Sequence, residues 1–343
     1  MRIAPLLTLL FASTALAACG GDSKTDPTAP SPDPCVATLG VGVRSSVAAG
    51  LTTWAILPSS TDNCITQRLD SHFVYRATAV AATGRLFIFV PGTNAVAQHY
   101  QLILAQAARA GYHAIGISYP NDDAVGTLCA TQPTTCYGDT RLEILTGQAT
   151  SAQVTVNRPN SIENRIVRLL RFMRSTEPTG DWGQFLLGDT AVVWGRVSIA
   201  GHSQGGGHAL FIAQRYAVYR ATAYASFGDG LPGGTAVAPW VTRPYATPTH
   251  RLFGFISTFD ELVSPSTALA VWTAIGMSGA AVNVEDAPPP FGASQRFITS
   301  APPANRLLTL SPNHNVVVVD VNTPKVALAA PAFADVWRAL SFP

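Results

Sequence analysis

The chain has 343 residues, of which 47% are hydrophobic and only 12% are charged. This length is sufficient for one large hydrophobic core, or at most two. The 22 Lys and Arg residues nearly balance the 20 Asp and Glu residues, so the composition indicates no basic surface for nucleic acid. Because the cysteines and histidines do not have the spacing of a zinc site, we expect no bound metal.

The first residues are typical of an export signal. An apolar run follows Arg2 and extends to Ala18, which is shorter than a membrane-spanning helix requires. The run ends in the letters LAAC, which resemble a bacterial lipobox and imply cleavage before Cys19 with lipid attachment to its sulfur. An ordinary signal peptide, with Cys19 incidental, is the alternative. We therefore predict a signal peptide at 1–18 and an exported protein anchored by lipid, facing either the periplasm or the cell surface.

Residues 19–35 are dominated by Gly, Ser, Thr, Asp and Pro, and they predict a flexible tether. If Cys19 carries lipid, an even number of cysteines remains, as expected in an oxidising compartment: Cys35, Cys64, Cys129 and Cys136. Proximity in sequence suggests that the first two pair with each other and the last two likewise. The sequence alone still allows three pairings.

Residues 36–343 are predicted to form a single domain in which strands alternate with helices. Strands are predicted at 54–58, 72–78, 85–92, 112–120, 191–201, 220–229, 250–260 and 305–311. Helices are predicted at 95–111, 161–175, 208–217, 266–277 and 324–340, the last interrupted near Pro331. This alternation predicts an α/β fold whose sheet is mostly parallel and has helices on both faces. In such a sheet, ligands bind at the carboxyl ends of the strands.

The interval 121–160 has no clear helical or strand pattern. A structureless loop of that length is usually functional or wrongly assigned. We interpret it as an insertion over the edge of the sheet, and it contains Cys129 and Cys136. The insertion is either a wall or partial lid of the site, or a decoration held by a disulfide, and the sequence leaves both possibilities open.

The letters GHSQG, from Gly201 to Gly205, follow a predicted buried strand and precede a predicted helix. Three small residues in five weaken both strands and helices, so a functional reason is expected. The pattern is that of a G-x-S-x-G nucleophile elbow, in which a serine lies on a sharp strand-to-helix turn. Here the chain resembles the α/β-hydrolase family, and it is similar to secreted bacterial esterase-like members over most of 50–343. The resemblance implies that Ser203 is a nucleophile, followed along the chain by an acid and then a histidine.

The resemblance also implies where the general base lies. Only His250 and His314 lie well after the elbow. His314 is in a loop after the last predicted strand, where the family places its base, whereas His250 precedes a strand at the wrong edge of the sheet. We therefore predict His314 as the base. His202 and His208 are expected to line the pocket or to pack.

The acid that orients the histidine has two candidates. Asp260 follows a predicted buried strand, in a segment similar to the family's strand–Asp–x–x–Val pattern. Asp229 follows the preceding strand, and some family members carry their acid there. We favour Asp260 and keep Asp229 as the alternative, and we expect the adjacent Glu261 to point away.

The oxyanion hole requires two main-chain N–H groups. The resemblance implies Gln204 as one donor and Thr93, in the loop after strand 85–92, as the other. Because Pro-Gly replaces the usual His-Gly in this loop, the sequence does not decide which residue is the second donor. The predicted activity is the hydrolysis of a small-molecule or polymeric carboxylic ester through an acyl-enzyme, by a monomer without a cofactor. The alternative is a non-catalytic binding protein, tethered to the surface, on the same scaffold.

Overall fold

The computed structural model describes residues 35–232, 236–327 and 330–343. The predicted signal peptide, the predicted lipidation site Cys19 and nearly all of the predicted tether lie outside the described residues. Residues Cys35–Pro343 belong to one compact unit.

Most of the strands belong to one twisted sheet. The strands are β1 (Val43–Ala48), β2 (Leu51–Ile56), β3 (His72–Ala77), β4 (Leu86–Val90), β5 (His113–Gly116), β6 (Leu186–Leu187), β7 (Ala191–Val192), β8 (Val197–His202), β9 (Arg220–Tyr224), β10 (Leu252–Ser257), β11 (Val282–Asn283), β12 (Arg296–Thr299), β13 (Lys325–Ala327) and β14 (Ala330–Pro331). Ten of them form a sheet in the order β1-β2-β3-β5-β4-β8-β9-β10-β12-β11. In this order, the strands from β5 to β11 each pair in parallel with the next strand. At the other edge, β1 pairs antiparallel with β2, β2 with β3, and β3 with β5.

Helices cover both faces of this sheet. They are α1 (Pro58–Thr61), α2 (Gln101–Arg109), α3 (Val125–Leu128), α4 (Cys136–Thr146), α5 (Ile162–Thr176), α6 (Gln204–Arg215), α7 (Pro265–Ala274), α8 (Pro312–Asn315) and α9 (Ala334–Ser341). Residues of α5 and α6 belong to one hydrophobic cluster, and residues of α2 and α9 belong to the other. The predicted α/β class, with a mostly parallel sheet between two helical layers, is confirmed.

Strand β4 shows why its sequence is a continuous apolar run. Leu86, Ile88 and Val90 pack in the cluster with α5 and α6. Phe87 and Phe89, which alternate with them, pack in the cluster with α2 and α9. Because successive side chains of a strand point to opposite faces, a central parallel strand buries all of its residues.

Three predicted elements are wrong in whole or in part. Residues 191–201 contain β7, which pairs only with β6, then a 3₁₀ turn at Trp194–Arg196, so the buried strand β8 begins at Val197. Residues 305–311 form bends rather than a strand, and the strand in this part of the sheet is β12, just before them. In the described part of 324–340, β13 and β14 pair antiparallel, and the short helix α9 follows them. Pro331 has no N–H to donate, so the helix begins only after it.

Both disulfides join the cysteines that are neighbours in sequence. Cys35 is bonded to Cys64, and Cys129 is bonded to Cys136. The second bond joins the end of α3 to the beginning of α4, within 121–160. No helix in the described ranges has both the length and the apolar character needed to cross a bilayer.

Asp320 is partly buried at the N-terminus of α2. Its carboxylate accepts hydrogen bonds from the main-chain N–H groups of Gln101 (2.9 Å) and Leu102 (3.1 Å). Burial raises the pKa of Asp320 to about 7, although the two N–H donors act to lower it. Between pH values of about 4 and 7, the folded chain therefore holds a proton that the unfolded chain has lost.

Because the folded chain binds this extra proton, we expect Asp320 to contribute less to the free energy of unfolding as pH rises from about 4 to 7. Asp320→Asn cannot titrate and keeps one of the two oxygens, so it loses one N–H bond at every pH and serves as the reference without titration. Urea unfolding of both proteins at several pH values measures the effect. The stability of the wild type relative to the variant should fall across this range, and a constant difference would contradict the raised pKa.

Candidate active site

The GHSQG segment adopts a strand–turn–helix arrangement. Strand β8 ends and α6 begins on either side of Ser203, whose backbone has φ 53° and ψ −120°. L-residues rarely adopt this conformation, and such strain is found mainly at functional sites. A Cβ on Gly201 would collide with the main chain of Gly205, and a Cβ on Gly205 would collide with the end of β4. Both glycines are therefore required for this close approach.

Asp260 and His314 contact each other directly. The Nδ1 atom of His314 lies 2.9 Å from each carboxylate oxygen of Asp260. The two side chains are 3% and 0% exposed, for His314 and Asp260 respectively. The Oδ1 atom of Asp260 also accepts the main-chain N–H groups of Leu262 (2.9 Å) and Val263 (2.8 Å), so the carboxylate is fixed in place. His314 lies in α8 rather than in the predicted loop.

The second nitrogen of His314 is not used by the described residues, and His314 lines the same cavity as Ser203. Nε2 is buried, and it has no hydrogen-bond partner within the described residues. The ring of His314 and the side chain of Ser203 both line this cavity. An imidazole oriented through Nδ1, with Nε2 free, is arranged to exchange a proton with a group in the cavity.

Glu261 holds the main chain that carries His314. Its carboxylate accepts the N–H groups of His314 (2.7 Å) and Asn313 (3.0 Å), and also the side-chain amide of Asn313 (2.7 Å). Burial acts to raise the pKa of Glu261, but these donors outweigh it and the pKa is lowered. Glu261 was expected to point away, but its carboxylate bonds the main chain of His314 and fixes the beginning of α8.

His202 connects three segments of the site. Its Nδ1 lies 3.1 Å from the hydroxyl of Tyr100, and its Nε2 lies 3.2 Å from the carbonyl oxygen of His314. The same hydroxyl accepts the N–H of Gly92 at 3.3 Å. Burial, with a smaller contribution from His314, lowers the pKa of His202, so the ring is neutral and donates from Nε2. His208 is also buried and packs against the ring of Tyr119.

The side chain of Gln204, the first residue of α6, connects the loop that carries Thr93 to the beginning of α3. Its Oε1 accepts the hydroxyl of Thr93 (3.1 Å) and the N–H of Val125 (2.9 Å). Within the described residues, the main-chain N–H groups of Thr93 and Gln204 take part in no hydrogen bond. Both groups are therefore available to a ligand.

Asp229, the alternative acid, is not joined to His314. Its carboxylate forms a bidentate pair with Arg141, with Nε and one terminal nitrogen of the guanidinium at 2.6 and 2.7 Å, and it accepts Trp240 Nε1 at 2.8 Å. The Arg141 and Asp229 side chains are 2% and 3% exposed. Arg141 also donates to the carbonyl oxygen of Gln204 at 3.1 Å. The pair therefore ties α4 to the elbow, and Asp229 has no oxygen directed at the histidine.

The cavity has a volume of about 880 Å³ and lies at the carboxyl ends of the parallel strands. Residues 124–127 and Arg141 line it, so the interval 121–160 contributes a wall of the cavity. This interval contains two helices, α3 and α4, instead of a structureless loop. His250 is exposed in the turn before β10, at the opposite edge of the sheet, and does not line the cavity.

No protein-family model matches this chain, and no curated protein matches it. Among solved structures, it is similar to the PEG-bound complex of a novel cold-adapted esterase from an Arctic intertidal metagenomic library. The two chains are 14% identical, and the similarity covers 68% of this chain and 83% of that chain, with a TM-score of 0.35.

Proposed function

We propose that the chain is a serine hydrolase of the α/β-hydrolase family that cleaves carboxylic esters. One observation carries the proposal: the imidazole of His314 is oriented by Asp260, keeps Nε2 without a partner, and lines the cavity that Ser203 also lines. A serine hydroxyl needs such a base to become nucleophilic. The strained backbone of Ser203 supports the same role.

In the proposed first half-reaction, the Oγ atom of Ser203 forms a bond to the ester carbonyl carbon while Nε2 of His314 takes its proton. The N–H groups of Gln204 and Thr93 donate to the oxyanion that develops. The carbon–oxygen bond to the alcohol then breaks, and His314 gives its proton to the leaving oxygen. The acyl group remains bonded to Ser203.

In the second half-reaction, His314 takes a proton from water, and the resulting hydroxide attacks the acyl carbon. The bond to Ser203 breaks as its oxygen regains the proton, and the carboxylic acid leaves. Asp260 keeps Nδ1 protonated throughout and stabilises the imidazolium. We also propose export, which the two disulfides support because such bonds persist in oxidising compartments. The proposed lipid anchor at Cys19 rests on the letters LAAC alone.

A panel of short chromogenic esters and matched anilides tests the proposed activity against the purified protein. We expect hydrolysis of p-nitrophenyl acetate and butyrate at rates well above the buffer background, without added metal. An absence of hydrolysis across both panels would contradict the proposal and favour a non-catalytic binding protein.

A further inference from the structure

Four exposed leucines lie on two segments that line part of the cavity, and we call them the leucine rim: Leu262, Leu307, Leu308 and Leu310. Their exposed fractions are 66%, 95%, 67% and 103% in that order. Leu262 and Leu310 also line the cavity itself, and the other two belong to the same loop as Leu310. Exposed apolar surface gathered in one place is typical of a surface that binds a ligand.

The loop of the leucine rim is held in a defined shape. The Oδ1 atom of Asn305 accepts the main-chain N–H groups of Leu307 (2.9 Å) and Leu308 (3.2 Å). The carbonyl oxygen of Asn305 accepts the side-chain amide of Asn322 (2.6 Å), which is fully buried. A buried side chain thus fixes a loop conformation that leaves the leucines in water.

Among its described residues, the cavity behind the leucine rim is lined by no free Asp, Glu, Lys or Arg side chain, and its other basic groups are the imidazoles of His99, His202 and His314. Arg141 and Asp229 line it, but they neutralise each other in the buried pair. A ligand that carries a carboxylate or an ammonium group would therefore find no free arginine, lysine or carboxylate to pair with and would lose its hydration on entry, and burial lowers the pKa of both His99 and His202. This charge distribution favours an uncharged ligand.

We propose that the substrates are esters with a long, uncharged, apolar chain, and that the leucine rim binds the part of the chain that extends out of the cavity. This inference rests on the proposed ester hydrolysis at Ser203. Leu262 follows Asp260 closely in sequence, and Leu310 closely precedes His314, so the segments that hold the acid and the base also carry the rim. A chain leaving the reaction centre on this side passes over the leucines. Full burial of a CH₂ group raises affinity about fourfold, and we expect about twofold on this open surface.

Two series of esters test the proposal, each used at concentrations below those at which the esters form micelles. One series lengthens the acyl chain of p-nitrophenyl esters from acetate to dodecanoate, and the other lengthens the alcohol chain of acetate esters over the same range. In the wild type, kcat/KM should rise along at least one series, by roughly twofold per CH₂ once the chain reaches the rim. The double variant Leu262→Ser/Leu310→Ser should lose about tenfold or more on the longest ester of that series and much less on the shortest.

Leu187→Ser is the matched control, because Leu187 is 67% exposed on β6 and does not line the cavity. It should keep the chain-length profile of the wild type. If the double variant keeps that profile as well, or if the wild type shows no rise in either series, the proposed role of the leucine rim is wrong. Short esters would still be hydrolysed in that case, so ester hydrolysis at Ser203 would stand. A wild type inactive on every ester would overturn both proposals.

Discussion

Ser203→Ala is expected to lower kcat for short esters by roughly 10⁴- to 10⁶-fold, as the removal of such a nucleophile does in other serine hydrolases. The hydroxyl is the atom that forms the acyl-enzyme, and alanine leaves no substitute for it. The variant should still bind substrate, since the cavity and both predicted oxyanion donors remain. Steady-state hydrolysis of p-nitrophenyl acetate, measured with the wild type and the variant side by side, gives the ratio.

Ser226→Ala is the control for this change. Ser226 also lines the cavity and is 4% exposed, but it lies after β9 and not on the elbow. We expect it to retain most of the activity. Equal losses in the two variants, or an active Ser203→Ala protein, would show that the hydroxyl of Ser203 is not the nucleophile.

Asp260→Asn is expected to lower kcat by about 10⁴-fold while the protein stays folded. The main-chain N–H groups of Leu262 and Val263 bond Oδ1 of Asp260, so the asparagine would keep its oxygen there and turn its NH₂ group toward His314. The NH₂ group would take the place of Oδ2, 2.9 Å from Nδ1, and would compete with Oδ1 at the same distance by favouring the tautomer with its proton on Nε2. In that tautomer the histidine cannot accept a proton from Ser203. Ester hydrolysis and the thermal unfolding temperature should be measured together.

Asp229→Asn is the companion variant, because it changes the other candidate acid. It removes the charge that neutralises Arg141 in a pair that is almost fully buried. Loss of one partner from such a pair typically costs about 3–5 kcal/mol of stability. Asp229→Asn should therefore unfold at a much lower temperature, whereas Asp260→Asn should not. If Asp260→Asn retains activity while Asp229→Asn loses it at a temperature where both are folded, the assignment of the acid is wrong.

The parts of the site that could be predicted are those specified by local sequence. The letters GHSQG fix a turn because only glycine allows the main chains to approach so closely at Gly201 and Gly205. The apolar run of β4 indicated a strand buried on both faces, and Asp260 could be placed because it follows such a strand directly. Each of these patterns involves residues that are close together in the chain, so it can be recognised in the sequence alone.

The parts that could not be predicted depend on residues far apart in the chain. Arg141 and Asp229 are separated by 88 positions, and no pattern in the sequence predicts that they pair. The contacts of His202 with Tyr100 and with the carbonyl of His314 span separations of similar size. Residues 305–311 have the alternation of a strand, but no neighbouring strand pairs with them, so their leucines remain in water.

The most direct test of the central claim is to identify the residue that a fluorophosphonate modifies. Such a reagent forms a covalent bond only with a serine that a neighbouring base activates. Mass spectrometry of the intact protein and its peptides should find one adduct per chain, on the peptide that contains Ser203, and His314→Ala should abolish it. Modification of a different serine, or no adduct in the folded wild type, would contradict the proposal that His314 activates Ser203.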